Sequence, residues 1–196
     1  MKKSVLLIST LTCLLLTSAC SDNHYSSQKS YETTLKANRP QKRGPATFTK
    51  KEMRYHFTGW IRYGSLDYLG RATAANALIT KRMIGTGTSA NQELRPKGFI
   101  SGKQGHSRGH LIGKQLGGSG NTMKNLVTLY QNPVNTPYMT KYENEVREVV
   151  ESGNPVRYRV TPVYTKNRLM PKSVIIEAKT IKNNRLNYKV VIPNER

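Results

Sequence analysis

The sequence predicts an α+β domain with a mainly antiparallel sheet and flanking helices. In the C-terminal third, apolar residues recur at every second position in three stretches, which is typical of half-buried strands. One stretch before them repeats its apolar residues at helical spacing. Asn183-Asn184 stands between the last two strand stretches as a turn, so those strands are expected to pair antiparallel. Helices beside a run of strands favour the α+β class.

The N-terminus has the features of an export signal. Two lysines precede a short apolar run at residues 5–16, and small residues then lead to Cys20. The apolar run is shorter than a membrane-spanning helix. We therefore predict a lipoprotein-type signal peptide at residues 1–20 with lipidation of Cys20, so that the protein is exported and anchored to the outer side of the membrane. Cleavage without lipidation, followed by secretion, is the alternative.

A tether and a single domain are predicted to follow. Residues 21–46 are polar and basic without periodic apolar positions, which indicates a flexible tether. Residues 47–196 are enough for one domain with its own core. The two cysteines, Cys13 and Cys20, both fall in the signal region, so the domain has neither a disulfide nor a cysteine metal site.

The charge of the chain indicates a polyanionic partner. The net charge is +21, from 32 Lys and Arg against 11 Asp and Glu. A surplus of this size favours binding to nucleic acid or to an anionic cell envelope. No base-reading module is recognisable, so contacts to the phosphate backbone would dominate nucleic-acid binding.

Within the domain, two helices are predicted. The alanine-rich residues 69–84 have helical propensity and would end at Gly85. Residues 86–120 are rich in Gly, Ser, Asn and Lys and predict a long loop region with short strands. The second helix is expected at residues 136–151, with Asn135 or Thr136 as its cap and proline in its first turn. Its apolar face consists of Tyr138, Tyr142, Val146, Val149 and Val150.

The run His-Ser-Arg-Gly-His at residues 106–110 contains the residue types needed to cut a phosphodiester. A neutral imidazole at His110 is a competent general base near pH 7. Arg108 can bind a phosphate oxygen, and Gly109 allows the backbone to approach a ligand closely. A lone histidine is more often structural than catalytic, so the prediction for His110 depends on its neighbouring residues.

Amide oxygens are the candidate metal ligands. The sequence has no HExxH motif and no paired carboxylates near His110, which argues against a zinc protease site. The candidates for a hard cation such as Mg²⁺ are Asn125, Asn132 and Asn135. Glu143 lies about 12 Å of helical rise after Asn135, so it is better placed to hold water near the metal than to bind the same ion.

These residues carry a family resemblance. Ser107-Arg-Gly-His110 resembles the Asp-Arg-Gly-His motif of the DNA/RNA non-specific endonucleases with the ββα-metal (His-Me finger) fold, and the chain is similar to their streptococcal-type members. Further resemblances are found in four segments: the arginine segment around Arg71, residues 95–99, the metal helix from Asn125 to Glu143, and the strand at residues 156–161.

The resemblance implies a role for each site residue. His110 would activate water, and Asn135 would be the sole protein ligand of Mg²⁺, with Asn132 as the alternative ligand and Mn²⁺ as the alternative ion. Glu143 would orient coordinated water. The phosphate would be steadied by Arg71 and Arg108, with Asn125 supporting substrate binding. Ser107 departs from the family pattern, because the motif has Asp at that position.

The sequence therefore predicts an exported, Mg²⁺-dependent endonuclease of low sequence specificity that acts on DNA, with RNA as an alternative substrate. The membrane would be contacted through the anchor on Cys20, and no protein partner is inferred. The alternatives are a non-catalytic nucleic-acid-binding surface lipoprotein and an envelope protein that binds anionic polymers. The ordered series His110, Asn135 and Glu143 favours the enzyme, because neither alternative requires it.

Overall fold

The computed structural model describes residues 38–102 and 104–196. The predicted signal peptide, the lipidation site at Cys20 and most of the predicted tether lie outside the described residues. Within the described part, no helix combines the length and hydropathy needed to cross a bilayer.

Most strands belong to one antiparallel sheet. In chain order the elements are β1 (Gln41–Lys42), β2 (Trp60–Tyr63), β3 (Ala75–Ile79), β4 (His106–His110), β5 (Leu126–Tyr130), α1 (Thr140–Glu151), β6 (Val156–Val163), β7 (Ser173–Thr180) and β8 (Asn187–Pro193). Six of the strands form a sheet in the order β1-β8-β7-β6-β3-β2, with every pair antiparallel. The other two, β4 and β5, form a separate antiparallel hairpin. The predicted α+β class is confirmed.

Alternating side chains build the core between the sheet and α1. Tyr158 on β6, Ile176 on β7 and Val190 on β8 are fully buried, and each lies opposite a partner on the next strand. The apolar face of the helix was correctly predicted: its four most buried residues are Tyr142, Val146, Val149 and Val150. The predicted pairing of the last two strands is also confirmed.

The predicted helix at residues 69–84 is wrong. Ala75–Ile79 is instead β3, which pairs with β2 on one side and β6 on the other, and only a single 3₁₀ turn follows at Lys81–Met83. Ala75 and Ala77 are fully buried. The helical preference of alanine over other residues is at most about 0.7 kcal/mol per residue. Backbone pairing along both edges and burial in the core outweigh it.

The regular helix α1 begins at Thr140, within the range predicted from residue 136, and an irregular helical segment precedes it. Gln131–Met139 is an irregular helical segment in which Thr136 has an extended backbone conformation. The residue before a proline is disfavoured in the α conformation, and Thr136 precedes Pro137. Met139, which precedes α1, already has the α conformation, so the helical turn that leads into α1 starts directly after the extended residue Thr136. Among the described residues, however, neither Asn135 nor Thr136 accepts a side-chain hydrogen bond from a backbone N–H of this turn, so the predicted side-chain cap is not formed.

The sheet includes residues that the sequence prediction assigned to the tether. Gln41 and Lys42 pair with Val191 and Val190 at the edge of the sheet. Further along, Glu52 forms ion pairs with Arg157 and Arg159 on the outer face of β6. These two arginines are thus part of a structural ion-pair network on this face of the sheet.

Candidate active site

The hairpin β4–β5 places His110 at the mouth of a cleft. His110 is the last residue of β4, and its Nε2 lies 3.1 Å from the backbone carbonyl oxygen of Thr88. A carbonyl oxygen can only accept a hydrogen bond, so Nε2 carries the proton in the neutral ring. The lone pair is then on Nδ1, which has no hydrogen-bonding partner among the described residues. This is the tautomer that a proton-accepting histidine needs.

The surroundings of His110 keep its ring neutral. Burial lowers the pKa of His110 from its ordinary value of 6.5 because it disfavours the charged imidazolium. The hydrogen bond to Thr88 opposes this shift, and the ammonium group of Lys114 adds to it. At neutral pH the ring is therefore available to accept a proton.

One cleft brings together three of the predicted site residues. Its volume is about 440 Å³, and it lies between the end of β4, the loop after it and the start of α1. It is lined by Gly85, His110, Gly113, Lys114, Gln115, Asn135, Met139, Thr140 and Glu143. His110, Asn135 and Glu143 thus share one cleft although 33 positions separate the first from the last.

Glu143 is a half-buried carboxylate with few partners. It lies in the first turn of α1, and Nε2 of Gln115 donates a hydrogen bond to its Oε2 at 3.3 Å. Burial raises the pKa of Glu143 to about 7, and the bond from Gln115 only partly offsets this rise. The carboxylate also packs directly against Gly113, where a side chain would overlap it. A carboxylate in such a place is stabilised by a nearby cation.

Asn135 presents an amide oxygen to the same cleft. Its Nδ2 donates to Oε1 of Gln131 at 3.1 Å, which fixes the orientation of the amide. Its Oδ1 accepts no hydrogen bond from any residue in the described part of the chain. Asn132, the alternative ligand, is exposed and does not line the cleft. An amide oxygen and a carboxylate that line the same cleft are donors of the kind that suits a hard, partly hydrated divalent cation.

No carboxylate-rich metal cluster accompanies this site. Over residues 38–102 and 104–196, no group of three or more His, Cys, Asp or Glu side chains converges on one point. Among the predicted site residues, the oxygen donors that line the cleft are Asn135 and Glu143. Both are oxygen donors, as Mg²⁺ and related ions prefer.

Arg71 is not in the cleft, and the role predicted for it does not fit its placement. Its guanidinium forms a salt bridge with Asp67 at 2.7 Å and donates to the carbonyl oxygens of Lys166 and Arg168. It also stacks on the ring of Tyr164, and only 7% of the residue is exposed. With its donors engaged, Arg71 holds the loop at residues 164–168 instead of meeting a phosphate.

Arg108 is likewise engaged by the protein. Its Nε donates to the carbonyl oxygen of Leu94, and its two terminal nitrogens donate to Gln92. The guanidinium lies 4.2 Å from the ring centre of Phe99. Arg108 therefore fastens residues 92–99 onto β4, and it does not line the cleft as its predicted catalytic role requires.

Asn125 has a structural position rather than a substrate-binding one. It is fully buried, and its Oδ1 accepts a hydrogen bond from the backbone nitrogen of Ile112. Its Nδ2 donates to the carbonyl oxygens of Ile112 and Ser119. A buried amide with these partners cannot contact a substrate. It holds the loop that follows His110 in place.

That loop supplies three cleft residues that the sequence prediction missed. Gly113 makes room for the Glu143 carboxylate, Gln115 donates to it, and Lys114 is the single cation among the residues that line the cleft. They follow the His110 motif directly, so their closeness in sequence was a usable signal. What the sequence lacked was the position of Glu143 across the cleft.

Comparison with known proteins relates this fold to nucleases. Residues 51–182 match the model of the DNA/RNA non-specific endonuclease family. The NucA structure from Streptococcus agalactiae with magnesium bound superposes with a TM-score of 0.67 at 21% identity, covering 86% of this chain and 91% of NucA. The zinc-bound structure of the Sda1 nuclease gives 0.70 at 20% identity, covering 83% and 92%. At these identities the two structures support the fold.

Proposed function

The chain belongs to the DNA/RNA non-specific endonuclease family, and on that premise we propose that it is an exported, Mg²⁺-dependent endonuclease that cuts DNA, with RNA as a second substrate. One observation supports the proposal above the others. One cleft brings together the Nδ1 of His110, which has no hydrogen-bonding partner in the part of the chain that the structure describes, an amide oxygen of Asn135 and the carboxylate of Glu143.

In the proposed reaction, His110 is the general base. Its Nδ1 accepts a proton from the attacking water, while the Thr88 carbonyl holds the Nε2–H and stabilises the imidazolium that forms. The water oxygen bonds to phosphorus, and the bond from phosphorus to the 3′ oxygen breaks. The departing 3′ oxygen takes a proton from solvent water, so the products are a 5′-phosphate and a 3′-hydroxyl, and the proton on His110 returns to solvent.

Asn135 would hold the divalent cation through Oδ1, whereas Asn132, the alternative ligand, is exposed and is not among the residues that line the cleft. Glu143 would accept hydrogen bonds from nearby water and add negative charge to the site. A divalent ion bound there supplies positive charge to the phosphate and to the departing oxygen. The family neighbours contain magnesium in one case and zinc in another, so the choice of Mg²⁺ over Mn²⁺ or Zn²⁺ is part of the proposal.

Lys114 would supply the protein cation that meets the scissile phosphate. Its ammonium lies 3.1 Å from Oγ of Ser89 and lines the cleft beside His110. Arg71 and Arg108, which the family resemblance suggested for this task, have their donors bound to backbone and side-chain acceptors elsewhere. Lys114 is therefore the candidate for this contact.

Export and anchoring extend the same proposal. The first 20 residues would direct export, and lipidated Cys20 would anchor the enzyme to the outward face of the cell membrane. There it would meet DNA from outside the cell. Two of the structural neighbours are described as an extracellular endonuclease and an extracellular nuclease. Cell fractionation of the wild-type chain and of Cys20→Ser tests the anchor: the variant should leave the membrane fraction.

The activity itself is tested with closed-circular plasmid, Mg²⁺ and EDTA. We expect nicking that requires Mg²⁺ and falls by roughly 10²–10⁴-fold in His110→Ala. His56→Ala is the matched control, because His56 is exposed and does not line the cleft. Plasmid that is bound but never cut with any divalent metal would leave the non-catalytic binding protein. Parallel reactions with single-stranded RNA measure the second substrate.

A further inference from the structure

A second groove lies at the other end of β4 from the cleft. Its volume is about 810 Å³, nearly twice that of the cleft. We call it the distal groove; it is lined mainly by His106 and Tyr130 of the hairpin, by Ile100, and by residues 168–172 and 194–196. None of the catalytic candidates lines it, so it is separate from the cleft.

The floor of the distal groove is fixed by a buried amide. Asn194 is 6% exposed, and its Nδ2 donates to the carbonyl oxygens of Thr128 and Pro171. Its Oδ1 accepts a hydrogen bond from the backbone nitrogen of Tyr130 at 3.0 Å. The end of β5 and the segment before β7 are thereby held together. The groove is therefore preformed and does not require a ligand to assemble it.

The groove carries cations that are free to bind a ligand. Arg168 and Lys172 are exposed, and in the described part of the chain their side chains form neither a salt bridge nor a hydrogen bond. Arg196 lies over the ring of Tyr130, with 4.9 Å between the guanidinium and the ring centre. Glu195 is the one acidic residue among the lining residues. The groove thus presents an excess of positive charge. The side chains of Arg168 and Lys172 differ in this respect from those of Arg71 and Arg108, whose donors are engaged within the protein.

Apolar and aromatic surface accompanies these cations. Ile100 and Leu169 are 55% and 44% exposed and line the groove together. The rings of His106 and Tyr130 meet edge to face, with 5.4 Å between their centres. Cations interleaved with flat and apolar side chains suit a single strand of nucleic acid, whose unpaired bases stack on such faces, and in a duplex the cations can still bind the phosphates.

The distal groove and the cleft are separated by a length that one DNA strand covers in a few nucleotides. His106 lines the distal groove and His110 lines the cleft, and both are on β4. Four residues of strand span about 13 Å, and positions an even number apart share a face. A strand of duplex DNA advances about 3.4 Å per nucleotide, so this span corresponds to roughly four nucleotides.

We propose that the distal groove binds the nucleotides that flank the cleavage point on the strand held at His110, with Arg168 and Lys172 on its phosphates. This inference rests on the proposed nuclease function, which it deepens by adding a substrate-binding subsite. The groove makes the enzyme favour polymeric nucleic acid over small phosphodiesters, and it does so without reading the base sequence.

The test compares the full chain with Arg168→Ala/Lys172→Ala. Binding of duplex DNA long enough to reach both sites is measured by fluorescence anisotropy over a range of salt concentrations, in a His110→Ala background that prevents cutting. Each lost phosphate contact lowers the slope of log affinity against log salt by about 0.9, so the double variant should lose about 1.8. Lys50→Ala/Lys51→Ala removes the same charge from exposed positions outside both sites and should leave the slope nearly unchanged.

Catalysis provides the second readout, with His110 restored. The groove variant should show a raised KM for long duplex DNA and unchanged hydrolysis of bis(p-nitrophenyl) phosphate, which has no flanking nucleotides. An unchanged salt slope and unchanged KM would overturn the inference, and so would equal losses on both substrates. Arg168→Lys/Lys172→Arg, which keeps the charge, should retain the slope. If the wild-type chain cuts neither substrate, the nuclease proposal fails. The anisotropy data would still show whether the distal groove binds DNA.

Discussion

The carboxylate of Glu143 packs directly against the Cα of Gly113, so that any side chain at position 113 would occupy the space of the carboxylate. Gly113 has φ −62° and ψ 153°, a conformation open to every residue. Its lack of a side chain is therefore needed for Glu143 and not for the backbone. Two segments that are 30 positions apart in sequence are matched to each other at this point.

Gly113→Ala should lower kcat by more than about ten-fold, because the added methyl group displaces the carboxylate of Glu143. The backbone tolerates alanine, so the free energy of unfolding should fall by no more than about 1–3 kcal/mol. The measurement is plasmid nicking with Mg²⁺ together with urea unfolding. Glu143→Asp in the Gly113→Ala background shortens the acid and should recover part of the activity. If Gly113→Ala matched wild type in nicking, the contact would have no bearing on the reaction.

Asn135→Ala should raise the Mg²⁺ concentration for half-maximal activity by more than about ten-fold, because it removes the proposed protein ligand. Asn132→Ala is the matched control: Asn132 is an exposed asparagine three positions away that does not line the cleft. Isothermal titration with Mg²⁺ measures binding independently of activity. A large effect of Asn132→Ala and none of Asn135→Ala would exchange the two assignments.

At saturating Mg²⁺, the pH at which activity is half lost on the acid side should lie below 6.5. The base must be neutral, and burial lowers the pKa of His110 below that ordinary value, so protonation removes activity only as pH falls through the lowered pKa. Lys114 contributes to this lowering. Lys114→Gln should therefore move the acid limb of kcat/KM to higher pH, in addition to weakening phosphate binding. A limb that stays in place or moves to lower pH would contradict the influence of Lys114 on His110.

Metal binding should weaken as pH falls through about 7. The pKa of Glu143 is raised to about 7 by burial, and its protonated form removes negative charge from the cation site. The Mg²⁺ requirement should consequently be higher at pH 6 than at pH 8. In Glu143→Gln the requirement should be high at both values, with little dependence on pH. Titrations of activity against Mg²⁺ at the two pH values check this.

Arg71→Ala should destabilise the fold rather than slow the chemistry. It removes the partner of the partly exposed Asp67 carboxylate and leaves two loop carbonyls without their donor, which costs about 1–3 kcal/mol. Thermal unfolding should show a lower Tm, while kcat of the protein that remains folded stays near wild type. A loss of kcat with an unchanged Tm would instead restore the phosphate-binding role that the sequence suggested.

Local pattern was sufficient for part of this molecule. The apolar spacing along Tyr142, Val146 and Val150 identified the buried face of the helix, and the alternation in β7 and β8 identified two paired strands. These features depend on neighbours within a few residues, which the sequence displays directly. The motif around His110 likewise lies in one short segment, so its residues stand out in the sequence alone.

Tertiary structure decided what depended on distant partners. The stretch at residues 69–84 has helical propensity, yet β2 and β6 pair with its centre on both sides and make it a strand. Arg71 and Arg108 have the chemistry of phosphate ligands, but acceptors elsewhere in the fold engage their donors. A guanidinium binds whichever acceptors the fold brings near, and the sequence shows only the donor. By itself, then, the sequence determined the residue types of a nuclease site, and the fold determined which of them face the cleft.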